Sequence, residues 1–239
     1  AMDRPVSPLE LTTEFHPELP AAAENHNLPL HFSYPIEAMA AGPHDRHTPF
    51  ERHGPGHIHA VLDKLRLMSL MDRFPPRLVW AGYVLLCGFV TIALLSVVTM
   101  FTTNPFVFPS LGPTAYLYFF APLARASSPR HALFGHAIAI ACGYFALWST
   151  GMVVPHGLEE GITWNTGIAA ALSLGLTGAF MVLFRVSHPP AGATTLIVSL
   201  GLIVKPLNLF ILEVAVLALT IEAFAINRLA GLPYPFWEK

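Results

Sequence analysis

Charge is scarce in this sequence. Asp, Glu, Lys and Arg make up 12% of its 239 residues, about half the share of an ordinary soluble domain, and the division along the chain is uneven. Ala1 to Arg77 holds ten acids and seven bases, whereas Leu78 to Lys239 holds five acids and six bases, set at the ends of long apolar runs. Runs of that kind require lipid as their solvent. The net charge of −2 and a pI near 6.7 provide no basic field, so a nucleic-acid partner has no electrostatic support. Cysteine is nearly absent. Cys87 and Cys142 both sit inside apolar runs, where they form neither a disulfide framework nor a zinc spacing and read as small buried hydrophobes. Missing too are a Ser-His-Asp set, a paired-carboxylate cleft, a Gly-rich nucleotide loop and a haem signature, which leaves catalysis without a candidate constellation. The opening Ala1-Met2-Asp3 carries neither the basic residues nor the apolar run of a signal peptide.

What is present begins with proline. Residues 1–56 hold nine prolines and no sustained hydrophobic period, so this stretch builds no core of its own and reads as an extended arm. It needs something to lie against, either the membrane domain or another chain, and a homo-oligomer or a larger membrane complex held through residues 1–56 is the partner it suggests. His44, His47, His53, His57 and His59 cluster here with Asp45 and Glu51, at spacings that match no closed metal site. From residue 57 to 76 the apolar positions Ile58, Val61, Leu62, Leu65, Met68 and Met71 recur at threes and fours. This predicts an amphipathic helix ended by Pro75-Pro76, lying in the headgroup region or packed on the bundle.

Six apolar segments follow: Leu78–Phe101, Pro105–Ala124, His131–Val154, Trp164–Phe184, Ala191–Val204 and Leu207–Asn227. The first, third, fourth and sixth are long enough to span a bilayer. The second and fifth are interrupted by proline and glycine near their starts, which leaves room for only half to three quarters of a spanning helix. The predicted fold is an all-α polytopic bundle over residues 77–228, with a tail at 229–239. With both termini inside, Arg66, Arg73, Arg77, Arg125, Arg130, Arg185, Arg228 and Lys239 fall on the cytoplasmic side and only Lys205 outside, as the bias of basic residues toward cytoplasmic loops requires.

The two interrupted segments resemble each other. Phe108-Pro109-Ser110-Leu111-Gly112-Pro113-Thr114-Ala115 aligns with His188-Pro189-Pro190-Ala191-Gly192-Ala193-Thr194-Thr195 at an offset of 80, with Pro, Gly and Thr coinciding. Each run opens the shortened middle segment of a three-segment half, and three crossings per half make the halves opposite in orientation, the pattern of an inverted 3+3 repeat with broken helices. A helix that begins inside the membrane has first-turn amides without intrahelical partners. Proline there wastes no donor, glycine admits a ligand close to the backbone, and serine or threonine adds a hydroxyl. Two such ends facing each other would hold a small anion. Ser110, Gly112, Thr114, His188, Ala191, Gly192, Ala193, Thr194 and Thr195 are therefore the candidate substrate-binding residues. The alternative is a pair of proline kinks with glycine for close helix packing.

Ser187-His188-Pro189-Pro190-Ala191-Gly192-Ala193-Thr194-Thr195 resembles the signature of the HPP family of integral membrane proteins. The run Phe108–Ala115, and Pro129-Arg130 followed by Gly135-His136, also resemble that family's pattern, over about Pro75 to Asn227. The resemblance implies a membrane domain without a prosthetic group or other cofactor. It also implies a small inorganic anion as substrate, since members from plastids and cyanobacteria are regarded as nitrite carriers; nitrate, formate and chloride fit the same description. The expected location is a bacterial inner membrane, an organelle inner membrane being the alternative.

His136 and His188 stand where a transported anion or proton would meet them, and imidazole titrates near neutrality. His136 reads either as a proton-coupling residue or as a neutral side chain bonded to a neighbouring helix. Glu213 and Glu222 lie in the last span, where an acid is costly unless paired or protonated. Glu213 is the second proton-coupling candidate, with Lys205 as a possible partner, and Glu222 is expected to pair with Arg228. Arg185 either attracts anions or fixes topology. Two functions remain open: a carrier or channel for a small monovalent anion, nitrite first, and a structural subunit of a larger membrane assembly. A membrane enzyme using His136 and His188 has least support.

Overall fold

Proline marks where helices begin. The computed structural model describes residues 66–102, 106–153, 161 and 163–238. Among them are seven α-helices: α1 (Leu67–Met71), α2 (Pro76–Thr102), α3 (Leu111–Phe120), α4 (Pro129–Ser149), α5 (Trp164–Leu183), α6 (Ala191–Ser199) and α7 (Pro206–Leu229), with a 3₁₀ turn at Arg125–Ser127 before α4. Pro76, Pro129 and Pro206 open α2, α4 and α7, at positions whose missing N–H costs no intrahelical bond. Three of the four long helices end alike, with the chain turning back at a residue of positive φ: Gly151 after α4, Arg185 (φ 55°) after α5 and Gly231 after α7, with Gly201 doing the same after the short α6. The return bonds, such as Val186 N–H to the Met181 carbonyl and Leu232 N–H to the Asn227 carbonyl, satisfy the last carbonyls of each helix. Only α2 runs instead to the edge of the described residues. Arginine in the left-handed region costs about 1–2 kcal/mol that glycine would not, so the position after α5 retains a charged side chain at some expense.

The helix α2, α4, α5 and α7 are each long and apolar enough to cross a membrane. At 1.5 Å per residue the ten residues of α3 and nine of α6 reach about 15 Å, half of a hydrocarbon core. The protein is an integral membrane helical bundle. Leu85, Phe89 and Met100 of α2 and Val182 of α5 face outward, while α5 buries Thr166, Ala169, Ser173 and Thr177 at intervals of three and four. Lipid is as apolar as leucine, so small and hydroxyl-bearing residues take the interior.

The contacts fix the topology. Leu67 N–H donates to the Ala230 carbonyl, joining α1, which leads into the start of α2 and packs on it, to the end of α7. Ser187 N–H donates to His131 Nδ1, joining the end of α5 to the start of α4, and Arg130 N–H donates to the Trp237 carbonyl, joining the start of α4 to the chain beyond α7. One end of the bundle therefore gathers the N-termini of α2 and α4 with the C-termini of α5 and α7, and it carries every described arginine. Repeat mates α2 and α5 run in opposite directions, as do α4 and α7. The packing repeats as well: α4 leaves its own half to pack on α5 and α6, α7 packs on α2 and α3, and α4 and α7 meet each other. The halves are inverted and exchange their third helices.

The amphipathic helix expected from residue 57 is helical only at Leu67–Met71 within the described residues, and it stops short of Pro75-Pro76. It packs on the bundle, with Leu67 buried. The arm at 1–56 lies outside the described residues, together with the histidine cluster expected there.

The C-terminal segment folds back over the arginine-rich end. Tyr234 is fully buried, its hydroxyl donating to the Ser127 carbonyl. Glu238 meets Arg130 at 2.8 Å and Arg125 at 3.3 Å. Slight desolvation pushes the Glu238 carboxyl up, but Arg130, the Arg125 hydrogen bond and His131 outweigh it and hold the group below the usual carboxylate range. A depressed folded value means this hold is complete above the ordinary carboxylate pKa and is lost as pH falls through the depressed one. Near neutral pH salt is the effective lever, because the partners are partly exposed. High salt and Glu238→Gln are each expected to speed hydrogen exchange in residues 232–238, with no change in α4. Exchange indifferent to both would mean that Tyr234 alone holds the segment.

Candidate functional site

The broken helices begin where the repeat places them: α3 at Leu111 and α6 at Ala191, the same offset of 80 that aligns their sequences. Thr114 and Thr194 are each the fourth residue of their helix and both are fully buried. They grip one side chain. His136 of α4 has Nε2 2.9 Å from Thr114 Oγ1 and Nδ1 2.7 Å from Thr194 Oγ1. Thr114 Oγ1 also lies 3.2 Å from His188 Nε2, and His188 Nδ1 lies 2.8 Å from the Ala126 carbonyl oxygen. The two imidazole centroids are 5.0 Å apart, and Thr114, His136, His188 and Thr194 are all 0% exposed.

One group in this chain has a fixed role, and it orients the rest. The Ala126 carbonyl only accepts, so His188 carries its proton on Nδ1 and its Nε2 is an acceptor. Thr114 therefore donates its hydroxyl hydrogen to His188 Nε2, and it accepts from His136 Nε2–H. His136 Nδ1 is then bare and accepts from the Thr194 hydroxyl. Every group is satisfied with both histidines neutral. The junction is a directed chain of hydrogen bonds from Thr194 to Ala126, threaded between the inverted halves.

The neighbouring donors are not all engaged. Ser110, the residue before α3, is fully buried, and its hydroxyl has no partner, although its carbonyl lies 3.4 Å from Thr114 Oγ1. Ser128, before α4, likewise has a buried hydroxyl without a partner. At α6 the amides are spoken for. Ala191, Gly192 and Ala193 N–H donate to the carbonyls of His188, Pro189 and Pro190, a tight 3₁₀-like first turn. In this conformation the first turn of α6 offers an anion its side chains rather than its backbone. Thr195 accepts from Thr177 of α5 at 3.0 Å and acts as a helix–helix contact.

The motif glycines do not line the junction. A Cβ on Gly112 would meet nothing within 4 Å, and one on Gly192 would touch only Leu174 Cδ1 at 3.5 Å. The close approaches are at Gly135, where a Cβ would lie 2.7 Å from His188 Cβ, and at Gly143, where it would lie 2.8 Å from the Thr195 carbonyl oxygen and from Val198 Cβ. Gly135 precedes His136 and gives His188 its room.

Neither acid of α7 is hydrogen-bonded to His136 or His188 among the described residues. Glu213 lines an apolar groove of about 440 Å³ with Leu133 and Phe134 of α4 and Trp237. Its Oε2 is buried without a hydrogen-bond partner, and no ion pair joins it to Lys205 among the described residues. Glu222 accepts from Thr91 of α2 at 2.9 Å, whereas Arg228 stacks over Phe224 at 5.5 Å; the expected Glu222–Arg228 pair does not form. Six residues of separation put these two 120° apart around the helix, and Thr91 faces the acid from the next helix. Cys87 and Cys142 are buried free thiols.

The sequence model described as "HPP, transmembrane region" matches residues 74–235, which takes in every helix from α2 to α7 and the buried Tyr234. No curated protein and no solved structure matches the chain.

Proposed function

The chain belongs to the HPP transmembrane family, and from that premise we propose that it is a carrier, not an enzyme, for a small monovalent inorganic anion, nitrite first among the candidates. The observation that supports this reading most is His136 held by Thr114 and Thr194, equivalent residues of two inverted halves. A buried polar junction on the repeat interface is where inverted-repeat transporters place their substrate, and ionisable side chains inside a membrane bundle characteristically mark substrate and proton pathways. The binding groups in this reading are the free hydroxyl of Ser110, the Thr114 and Thr194 hydroxyls, and the two imidazoles. Full burial favours alternating access over an open pore, because the site meets neither aqueous phase in this conformation. We assign the arginine-rich end to the cytoplasm of a bacterial inner membrane, by the usual bias of basic residues. Arg185, kept where the comparable turns use glycine, then adds positive charge at the inner mouth.

Nitrite uptake into proteoliposomes tests the proposal, with nitrate, formate and chloride as competitors. Saturable entry above the empty-liposome rate is expected. Thr194→Val keeps the side-chain shape but leaves His136 Nδ1 without its donor, and should slow entry by about tenfold or more, which corresponds to about 1.4 kcal/mol. A folded wild-type protein that admits no competitor anion and no nitrite would refute the carrier reading.

A further inference from the structure

We infer that the anion crosses together with a proton, taken up on His188 of the two-histidine junction, so that each transport step moves no net charge. The inference rests on the carrier reading above, and three observations lead to it.

The first is an absence of fixed positive charge. Among the described residues no Lys or Arg side chain is fully buried. The first three amides of α6 are already bonded to local carbonyls. A bare anion at this depth would therefore be both desolvated and without a countercharge, which is strongly unfavourable. Protonation of an imidazole supplies the missing charge on the spot.

The second is that the hydrogen-bond chain has room for one added proton. In the neutral chain the free lone pairs of the rings, His188 Nε2 and His136 Nδ1, are covered by threonine hydroxyls. A proton from water on the open side forms a new N–H bond at His188 Nε2. That N–H now donates to Thr114 Oγ1, which still accepts from His136 Nε2–H and must turn its own hydrogen elsewhere. The Ser110 carbonyl, 3.4 Å away, is placed to receive it. His188 Nδ1–H keeps its bond to Ala126. The protonated junction thus retains a partner for each hydrogen, and its single positive charge offsets the single negative charge of the anion. On release the N–H bond breaks, the proton returns to water on the other side, and Thr114 turns back to His188.

The third is the free hydroxyl of Ser110, one helical turn from Thr114 and buried without a partner. It supplies a donor to the anion from the same residue whose carbonyl takes the displaced hydrogen. The other titratable or charged groups around the pair are Tyr118 of α3, with its ring centroid 6.5 Å from that of His188, Arg125 in the 3₁₀ turn, His131 of α4, and Glu213 and Glu222 of α7. None of these is hydrogen-bonded to His136 or His188 among the described residues. From α5, Thr177 is engaged with Thr195.

The test uses the purified chain in potassium-loaded liposomes with a trapped pH dye, an inward nitrite gradient, and valinomycin to set the membrane potential. Empty liposomes give the baseline for nitrous acid that crosses lipid unaided. The expected result is acidification of the lumen in step with nitrite, protons and nitrite entering in equal number, at a rate indifferent to the imposed potential. Nitrite entry that an inside-positive potential accelerates, without acidification, would overturn the coupling while leaving the carrier reading intact. No entry above baseline by folded protein would instead bring down the carrier reading, and the coupling with it. His188→Asn keeps a donor for the Ala126 carbonyl and removes the second ring nitrogen. It is expected to lose proton movement, with any residual nitrite entry becoming potential-driven; acidification at the wild-type ratio in a folded variant would move the proton off His188.

Discussion

The Gly135→Ala variant is expected to carry nitrite at close to the empty-liposome rate and to melt below the wild type, whereas Gly112→Ala should keep both properties. Alanine in place of a helical glycine ordinarily stabilises by about 0.5–1 kcal/mol, so the predicted sign at Gly135 runs against the local rule. The reason is His188. The added carbon would lie 2.7 Å from His188 Cβ and 3.4 Å from its Cγ, and the ring cannot slide aside freely, being held at Nδ1 by Ala126 and at Nε2 by Thr114. Either one of these bonds opens or α4 shifts from the segment that precedes α6. Overpacking of this kind costs about 1–3 kcal/mol, and a lost hydrogen bond adds about 1 kcal/mol. At Gly112 the carbon points into open space. Thermal melting in detergent and proteoliposome flux read the two properties separately, and wild-type flux from Gly135→Ala would mean that the position of His188 does not govern the site.

This contrast between glycines also marks the limit of what the chain discloses by itself. The six segments are legible because a hydrocarbon core imposes a length, and the breaks at Pro109 and Pro189 are legible because proline and glycine interrupt a helix whatever surrounds them. The inverted repeat follows from those two facts, and the starts of α3 and α6 keep the offset of the aligned motifs. Thr114 and Thr194 were visible as a matched pair. Their shared partner was not, because His136 comes between them only after α4 leaves its own half to pack on α6. Proximity of Gly135 to His188 or of Gly143 to Thr195 spans about fifty residues of sequence, and no local pattern encodes it. Proline and glycine in the motif advertise themselves, while the glycines under steric pressure look like ordinary residues of a spanning helix.

The same physics explains why the interior of α5 could not be read from hydrophobicity. In water the apolar stripe faces the core; in lipid the outward face is apolar as well, and Thr166, Ser173 and Thr177 turn inward to meet partners such as Ser199 and Thr195. The acids of α7 divide along this line. Glu222 is met by Thr91 across the helix boundary, a partner that no spacing within α7 reveals. Glu213 has no such neighbour: its Oε2 is buried without a hydrogen-bond partner.

His136→Leu should abolish nitrite entry and also lower stability, and a second substitution can separate the two effects. Leucine approximates the volume of the ring, so packing changes little, but both interhelical bonds of His136 are lost. Such bonds in membrane bundles average about 0.6 kcal/mol and reach about 1.7, which puts the destabilisation at about 1–3 kcal/mol. The loss is unequal between its partners. Thr114 retains an acceptor in His188 Nε2, whereas the Thr194 hydroxyl, whose one side-chain partner among the described residues is His136 Nδ1, is left buried without it. Adding Thr194→Val removes that stranded group, so the double variant should recover a substantial part of the lost melting temperature. It should recover none of the transport, because the group gripped by both halves is gone. Recovery of flux along with stability would mean that His136 only holds the helices together, and wild-type flux from His136→Leu alone would remove the junction from the transport path.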